Sequence, residues 1–473
     1  MEEKYCILPL FFCLVFVTSS AVADPLQPGP KVRCPVCGMY VAPYPGWVSS
    51  LTFSEGSRLF FDGPRDLFTY IFQLPAEGRK SSDITVIRVT DHKTHDWIDA
   101  RSAWFVLGSS VSGPMGEELI PFGSKGEAKA FLAERGGTAL LAFDEITPTT
   151  LAELSATGGF AHTGGFEPIG VMGAHTHHPG GIMLSYRYMT MKMEGNRDGT
   201  ERIGKDEVHK TFMVVPEKMT MEMHMLGAMV APDPDLTFMA MVPYLVIKMD
   251  NERKMMMNVQ RFTTKSEGVG DVKVSVLCHF FHQDTHDLIA KVGLSLPTGS
   301  IDRKDDTPTG KNQHLPYPMQ LGSGTFDLLP GITYLGRSNP WFWGAQGIAT
   351  FRLGENSNDY TLGNRIDLTG WLTRRVNRKF SLSVRLDGTS WGKIDGADSD
   401  LSPTMTAMTP TADPERRGGT RLDLLLGLAF DTSGGRHRGH RLTLEGGLPL
   451  YQRLDGPQLE TDWKLTAGWQ WTF

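Results

Sequence analysis

From residue 182 onward, hydrophobic and polar residues alternate with a period of two. In the first such segment, Leu184, Tyr186 and Tyr188 fall on one side, and Arg187 and Met189 fall on the other. Successive side chains of a β-strand point to opposite faces, so this pattern predicts strands with one apolar face. Similar segments recur as far as the C-terminus, separated by turn-rich insertions of unequal length. This combination is typical of outer-membrane β-barrels.

The pattern predicts a transmembrane antiparallel β-barrel of about 12 strands over residues 182–473. Trp469, Trp471 and Phe473 alternate in the last segment, and an alternating aromatic strand that ends on Phe is typical of the signal for outer-membrane barrel assembly. We therefore expect two partners: outer-membrane lipid, and the barrel assembly machinery through Phe473. A large β-sandwich is the soluble alternative.

Residues 24–158 carry a different pattern, which predicts a small α+β domain. Four strand-like runs occupy residues 47–53, 84–90, 103–109 and 138–143. Helix signals lie between these runs. Asp62 is placed to cap a helix with Pro64 in its first turn. Ser124 and Glu127 have the spacing of a capping box for a second helix, which Gly136 ends.

Residues 159–181 are rich in Gly and His and have no clear period, so we interpret them as a linker between the two domains.

The first 23 residues have the features of a secretory signal peptide. Lys4 precedes an apolar run over residues 7–17, and small residues lead to a predicted cleavage after Ala23. Eleven apolar residues are too few to span a bilayer, although an uncleaved membrane anchor is the alternative. Export leaves Cys34, Cys37 and Cys278, too few for a disulfide scaffold. The net charge of −6 gives no sign of a nucleic-acid partner.

Methionine is concentrated in one part of the chain: 17 of the 23 methionines lie between residues 172 and 257. Many repeat at every second position, so they share a strand face. In the runs 189–193 and 239–241 the opposite face is aromatic or aliphatic, which predicts that the methionines face the lumen. The run 219–225 is ambiguous, because Thr220, Glu222 and His224 oppose its methionines. The alternative is that methionine only fills space in the strands.

Thioethers are soft, neutral ligands that favour Cu(I), and clustered imidazoles commonly bind copper or zinc. The predicted soft ligands of the linker and barrel are His175, His177, His178, Met189, Met191, Met193, Met219, Met221, Met223, His224, Met225, Met239 and Met241. For the three linker histidines, a solvated polar turn is the alternative.

The segment "RCPVCGMYV", residues 33–41, places Cys34, Cys37 and Met39 within six residues. A structural zinc site needs about four ligands, and the chain has no second CxxC pair. A c-type haem motif needs His where Gly38 stands, and the following residues do not continue a helix as in thioredoxin-like centres. A disulfide and a soft-metal clamp both remain open.

Several segments between residues 31 and 155 resemble the NosL family of copper-binding accessory proteins of nitrous oxide reductase. They are "CPVCGMYV", "FFDGPRDLF", "DHKTHDWIDARSAWFVLGS", "SGPMGEELIPF" and "AERGGTALLAFDEIT". The resemblance implies a periplasmic domain that binds one Cu(I) through Cys34, Cys37 and Met39. It makes Met115 a candidate ligand, with His92 and His95 as further candidates. Members of this family are usually lipoproteins; no lipobox is found here, so the barrel could replace the lipid anchor.

The barrel segments "HTHHPGGIMLSYRYM" and "LPTGSIDRKDDTP" resemble the transporter family named for the MetA pathway of phenol degradation. Together, the two resemblances predict an outer-membrane-anchored periplasmic Cu(I) protein that acts in copper trafficking, with a barrel that conducts or sequesters copper. A periplasmic copper enzyme or copper carrier would be its partner. One alternative is a chaperone for nitrous oxide reductase whose barrel is only an anchor. Another is a general outer-membrane transporter of small organic solutes. The chain contains no motif that predicts an enzyme.

Overall fold

The computed structural model describes residues 27–109, 111–114, 116–151, 154, 166–177, 181–233, 235–255, 258–283, 285–338, 340–377, 379–401, 403–432 and 439–472. The predicted signal peptide, Met115, His178 and Phe473 lie outside the described residues. No helix among the described residues is long and apolar enough to cross a membrane.

The N-terminal part is a small α+β fold. Its strands are β1 (Ser49–Phe53), β2 (Arg58–Phe61), β3 (Ile84–Thr90), β4 (Trp97–Asp99), β5 (Trp104–Leu107), β6 (Ser112–Gly113), β7 (Gly116–Glu117), β8 (Ile120–Phe122) and β9 (Ala139–Ala142). They form one sheet of order β2-β1-β3-β4, a second of order β8-β5-β9, and the pair β6-β7. Helix α1 spans Pro64–Gln73 and helix α2 spans Lys125–Arg135. All four strand-like runs therefore contain strands, and both predicted helices form.

The predicted cap of α1 is wrong, and the predicted capping box of α2 is confirmed only at Ser124. The N-cap of α1 is Gly63, not Asp62, and the Asp62 side chain turns toward a cysteine instead. At α2, Ser124 is the N-cap and accepts a hydrogen bond from the backbone N–H of Gly126. Glu127, the expected second member of a capping box, pairs with the Lys93 ammonium at 2.9 Å. Helix α1 forms at its predicted place because Pro64 and its apolar stripe favour it, although Asp62 does not cap it.

The C-terminal part is a closed β-barrel. Its strands are β10 (Ile182–Gly199), β11 (Glu201–Ile203), β12 (Val214–Asp233), β13 (Leu236–Met255), β14 (Asn258–Val269), β15 (Val272–Gln283), β16 (His286–Leu296), β17 (Lys304–Thr307), β18 (Gly310–His314), β19 (Phe326–Ser338), β20 (Trp341–Leu353), β21 (Tyr360–Thr361), β22 (Arg365–Arg375), β23 (Phe380–Trp391), β24 (Asp395–Gly396), β25 (Gly419–Asp431) and β26 (His440–Thr472). Two short helices, α3 (Lys205–Val208) and α4 (Pro403–Met408), lie in the connections.

Eleven of these strands close the barrel wall, with β11 and β14 as two additional strands at its rim. The last strand, β26, pairs with β25 through residues 441–454 and with β10 through residues 454–472. Its end returns to its start, because Thr472 N donates to Gly439 O at 3.0 Å. Thus β26 spans the height of the barrel twice, once in each direction. The eleven strands therefore provide twelve spanning segments among the described residues. An even number is required, since every neighbouring pair of the closed ring is antiparallel.

The barrel's outer face is apolar over most of its strands. Leu226, Leu368 and Leu426 are each more than 60% exposed, and the outward positions of the other strands are also mainly Leu, Val, Ile or Phe. A water-soluble protein does not expose an apolar surface of this extent, whereas a membrane barrel requires one. The inward positions carry polar and ionised side chains, among them Arg385, which donates to Glu445 from Nε at 3.0 Å.

The two ends of the barrel differ. Connections at the end that holds residues 182 and 472 are short, for example residues 339–340 between β19 and β20. Connections at the opposite end are long and include residues 297–325, 354–364 and 392–418. Short turns face the periplasm and long loops face the exterior in outer-membrane barrels. The chain therefore enters and closes its barrel from the periplasmic side.

Candidate metal centre

The loop that carries the CxxC pair is a tight turn closed by backbone hydrogen bonds. Cys34 N donates to Met39 O at 2.8 Å, and Gly38 N donates to Cys34 O at 2.9 Å. Gly38 has a φ of 78°, a left-handed conformation that favours glycine. Arg33 stabilises the loop through a cation–π contact, because its guanidinium lies 4.1 Å from the centre of the Tyr40 ring. The sequence from Arg33 to Tyr40 thus holds two thiols in a defined place.

Two carboxylates from the start of α1 face these thiols. Cys37 Sγ donates to Asp62 Oδ1 and Cys34 Sγ donates to Asp66 Oδ2, each at 3.3 Å. One ligand atom from each of the four residues lies within 4.8 Å of the other three. Cys34, Asp62 and Asp66 are buried, and Cys37 is partly buried. We call these four residues the thiol–carboxylate centre.

The electrostatics of the centre favour protonated thiols when no cation is present. The pKa of Cys37 is raised far above its ordinary value by a hydrogen bond with Cys34, by burial, and by the charges of Asp66 and Asp62. A hydrogen bond from Cys37 lowers the pKa of Cys34, but burial and the same two carboxylates outweigh it, so this pKa is also raised. Burial, together with the charge of Asp66, raises the pKa of Asp62 to about 6.

The donor set fits a bound cation. Asp62 Oδ2 is buried and has no hydrogen-bond partner among the described residues, which is costly unless a positive charge or a polar ligand joins it. Metal binding requires thiolates, and the resulting negative charge would favour a cation over two protons. The two thiols are free rather than joined in a disulfide. The assignment of Cys34, Cys37 and Met39 as metal ligands stays a prediction.

A third carboxylate lies behind the centre and supports helix α1. Glu118 Oε1 accepts hydrogen bonds from Arg65 N at 2.5 Å and from Leu119 N at 2.9 Å. It fills the space beside Gly63, where a Cβ atom would collide with its carboxylate. Complete burial raises the pKa of Glu118 to about 8. This residue positions the helix that supplies Asp66.

The other predicted ligands of this domain are placed differently. Met39 is buried on the same loop as the two thiols. His92 packs among Trp47, Phe122 and Phe131, with ring centres 5.2–5.8 Å apart, and burial lowers its pKa. The His95 ring lies against Gly46. The structure thus does not bring either histidine into the thiol–carboxylate centre, and Met115 is outside the described residues.

The predicted methionine runs form one surface inside the barrel. Met191 pairs with Met221 across β10 and β12, and Met229 pairs with Met239 across β12 and β13. The ambiguous run 219–225 faces inward, because it shares its side of β12 with buried Met229 while Leu226 is exposed. The surface, which we call the methionine wall, comprises Met183, Met189, Met191, Met193, Met219, Met221, Met223, Met225, Met229, Met239, Met241 and Met249.

His224 departs from the prediction that grouped it with these soft ligands. It lies on the other side of β12, where its Nδ1 is 2.8 Å from the Tyr186 hydroxyl. Its ring packs beside Tyr188. The period of two explains this placement, because an even-numbered residue of this strand faces away from the odd-numbered methionines.

Residues 166–177, here called the luminal segment, contact the inside of the barrel. Arg187 Nε donates to Ile169 O at 3.2 Å, and Gln346 Nε2 donates to Met172 O at 3.2 Å. The rings of His175 and His177 lie 4.9 Å apart. His175 lines a cavity with four members of the methionine wall: Met183, Met229, Met239 and Met241. The predicted linker therefore brings at least two imidazoles to the periplasmic end of the wall.

Sequence reasoning missed Asp62 and Asp66 as parts of the centre, and Met183, Met229 and Met249 as parts of the wall. The methionines share the strand parity of the predicted runs, so the period of two could have found them. The carboxylates had only a weak signal, since Asp62 follows a strand and resembles a helix cap. Their contact with the thiols depends on the tertiary fold.

The barrel and the thiol–carboxylate centre define a class: an outer-membrane β-barrel protein with a small metal-site domain on its periplasmic side. The NosL family model matches residues 25–151, and a model described as "Putative MetA-pathway of phenol degradation" matches residues 218–412. The copper-binding lipoprotein NosL of Achromobacter cycloclastes is 30% identical over 195 residues, which cover 38% of this chain and 97% of the relative. The chain belongs to the NosL family.

A further NosL relative and two solved structures are also similar to this chain. The copper-binding lipoprotein NosL of Stutzerimonas stutzeri is 30% identical over 156 residues, covering 31% of this chain and 77% of the relative. The crystal structure of the copper chaperone NosL from Shewanella denitrificans is 33% identical, with a TM-score of 0.24, over 27% of this chain and 99% of that one. An outer-membrane channel from Pseudomonas putida F1 is 13% identical, with a TM-score of 0.45, over 64% of this chain and 99% of that one.

Proposed function

We propose that this chain is a copper-trafficking protein of the outer membrane that binds Cu(I) at Cys34 and Cys37. The thiol–carboxylate centre carries this proposal: it holds two free thiols, one buried and one partly buried, in a domain of the NosL family. Relatives in this family are named as copper-binding lipoproteins. Thiolates and thioethers select Cu(I), and we assign the third sulfur ligand to Met39 on the same loop.

In this proposal the two carboxylates do not bind copper. They accept hydrogen bonds and protons from the thiols. Asp62 and Asp66 accept hydrogen bonds from the two thiols in the metal-free state. Carboxylate oxygens are hard ligands and suit Cu(I) poorly. As copper arrives, the thiols lose their protons, and Asp62 Oδ1 is the nearest acceptor for the proton of Cys37. Arg65 lies 3.7 Å from Asp66 and offsets part of the negative charge.

The methionine wall extends the proposal to the barrel. Met183 and Met193 are ten residues apart on β10, which corresponds to about 33 Å along a strand at ~3.3 Å per residue. Tilted by about 40°, such a length matches the apolar band of about 25 Å in outer-membrane barrels. Facing methionines of adjacent strands lie about 5 Å apart at Cβ, close enough to exchange a soft ion directly. We infer that copper moves along this wall or is held on it.

Two observations favour the second candidate, in which the barrel is only an anchor for a copper chaperone. The luminal segment occupies the periplasmic end of the lumen through contacts such as Thr373 Oγ1 to Phe166 O at 2.6 Å. In addition, Arg421 Nη1 lies 3.7 Å from Met191 Sδ, so ionic side chains approach the wall. The two candidates share the thiol–carboxylate centre and differ only in what the lumen does.

A Cu(I) titration of the reduced whole chain tests the shared part. In competition with a coloured Cu(I) chelator, the unaltered chain should bind the first equivalent more tightly than the Cys34→Ser, Cys37→Ser variant by at least tenfold. Cys278→Ser is the matched control, because this thiol lies in the barrel on β15, and it should leave the affinity unchanged. An equal affinity for the double variant and the unaltered chain would refute copper binding at the thiols.

A further inference from the structure

The long-loop end of the barrel contains a second group of metal-binding side chains. Asp302, His314 and Asp400 each offer one ligand atom, and these atoms lie within 4.8 Å of one another. Asp302 and His314 belong to the connection 297–325, and Asp400 belongs to the connection 392–418. The group contains no sulfur, so its chemistry differs from that of the thiol–carboxylate centre.

His314 is oriented with one ring nitrogen directed into this group. Its Nε2 lies 3.0 Å from Asp398 Oδ2 and 3.3 Å from the Gln320 amide nitrogen. The carboxylate is the nearer group and only accepts, so we assign the ring hydrogen to Nε2. Nδ1 then presents its lone pair. This atom is buried, has no hydrogen-bond partner among the described residues, and lies 3.7 Å from Asp400 Oδ2. The whole side chain is only 7% exposed. A nitrogen lone pair and a carboxylate that face each other repel, and a cation bound between them would remove this repulsion.

The residues behind His314 are held in place without any metal. Asp398 is 3% exposed, and its backbone N–H donates to the Tyr317 hydroxyl at 2.9 Å. Asn358 Nδ2 donates to Asp302 Oδ1 at 3.0 Å and to Asp398 Oδ1 at 3.3 Å. Histidines that bind a metal usually donate their other ring N–H to a carboxylate in this manner, which fixes the ring.

We propose that Asp302, His314 and Asp400 bind a divalent first-row transition-metal ion, such as Cu²⁺ or Zn²⁺, on the extracellular side of the barrel. The imidazole nitrogen disfavours Ca²⁺ and Mg²⁺, which take oxygen ligands. Two of the three ligands are carboxylates, which are hard ligands and suit Cu(I) poorly. Asp302 and Asp400 are exposed, so an ion from the medium reaches the site directly. Asp398 acts as a positioning residue.

Calorimetric titration of the detergent-solubilised whole chain with Zn²⁺ tests this site. The Cys34→Ser, Cys37→Ser background removes competition from the thiols. We expect a saturable Zn²⁺ site that His314→Gln and Asp400→Asn each weaken by at least tenfold. Asp398→Asn should weaken it by about 10- to 100-fold. The control Asp395→Asn, an exposed carboxylate on the same connection as Asp400, should leave the affinity unchanged.

Spectroscopy of the same proteins with Cu²⁺ provides the second measurement. The electron paramagnetic resonance spectrum should show coupling to one imidazole nitrogen, and His314→Gln should abolish it. Asp400 is 53% exposed, so Asp400→Asn tests the site even where the His314 variant folds poorly. Equal Zn²⁺ affinity for Asp400→Asn and the unaltered chain would overturn the proposal. The absence of saturable Zn²⁺ binding would also overturn the proposal. That result is expected if His314 serves only as an ion-pair partner of Asp398 and Asp400. Neither outcome affects Cu(I) binding at the thiols.

Discussion

At the scale of single residues, the chemistry of the centre depends on groups distant in sequence. Cys34, Cys37 and Met39 can be recognised from the sequence because they lie within one loop. Asp62 and Asp66 cannot, because only the packing of α1 against that loop joins them to the thiols. Asp62 was predicted to cap α1, a local role that its sequence position favours. Its actual contact with Cys37 is a tertiary one, and it changes the protonation of the site.

Copper binding should release protons and depend steeply on pH. Both thiol pKa values are raised, so both thiols are protonated at neutral pH and must lose a proton to bind Cu(I). If both bind, the apparent affinity should rise about a hundredfold per pH unit, because about two protons leave with each copper bound. Titrations of the metal-free reduced chain between pH 6.5 and 8.5 measure this slope.

The single variant Cys37→Ser provides the control for this pH dependence. It leaves one thiol, so the slope should fall to about tenfold per pH unit. A pH-independent affinity in the unaltered chain would contradict the proposed exchange of protons for copper.

Glu118 should make the N-terminal fold less stable as the pH rises. Its pKa is raised from 4.5 to about 8, so the folded state keeps a proton that the unfolded state loses between these values. The folded state binds more protons, and stability therefore falls with rising pH across this window. Glu118→Gln should remove the decline and stabilise the fold at pH 7 by roughly 1–3 kcal/mol.

This stability can be measured by the reaction of Cys34 with a thiol reagent at increasing denaturant concentrations. Cys34 is only 2% exposed in the folded state, so it reacts when the fold opens. The Glu145→Gln variant changes a carboxylate that is not buried, and it should retain the decline. A decline of the same size in Glu118→Gln would show that Glu118 is not its source.

At the scale of elements, the period of two predicted most of the barrel correctly. It placed the runs 189–193 and 239–241 on the lumen side, and the structure confirms both. It left the run 219–225 undecided, because Thr220, Glu222 and His224 are not lipid-like. The structure shows that these methionines face the lumen, because β12 pairs with β10 and β13, whose methionines face the lumen. The luminal segment had no period, so its contacts with the lumen were not predictable from its residues.

The methionine wall should be required for copper movement if the lumen conducts. Met189→Leu, Met191→Leu and Met193→Leu together preserve volume and apolar character but remove three thioethers. In liposomes that enclose a Cu(I) indicator, we expect copper entry through the triple variant to fall at least tenfold, with binding at the thiols unchanged.

Met213→Leu with Met255→Leu is the matched control for the wall, because both methionines are exposed and lie outside it. Copper entry through the control should equal that through the unaltered barrel. If the triple variant admits copper at the same rate as the control, the wall does not conduct, and the anchor candidate is favoured.

At the scale of the whole molecule, a membrane barrel and a NosL-family domain lie in one chain, whereas the named relatives are lipoproteins. That the barrel replaces a lipid anchor stays a prediction. The strand number could be predicted to within a small range because outer-membrane strands have similar lengths. Closure required the structure, since it depends on β26 pairing with both β25 and β10. Recognition of Phe473 by the assembly machinery stays a prediction. The same holds for a copper enzyme or copper carrier as the recipient.

X-ray absorption at the copper edge tests the central claim most directly. The reduced whole chain is loaded with one equivalent of Cu(I), and the atoms bound to copper are identified. The account predicts a shell dominated by sulfur, which the Cys34→Ser, Cys37→Ser variant loses and the Cys278→Ser variant keeps. A shell of nitrogen and oxygen in the unaltered chain, or a sulfur shell that persists in the double variant, would contradict it.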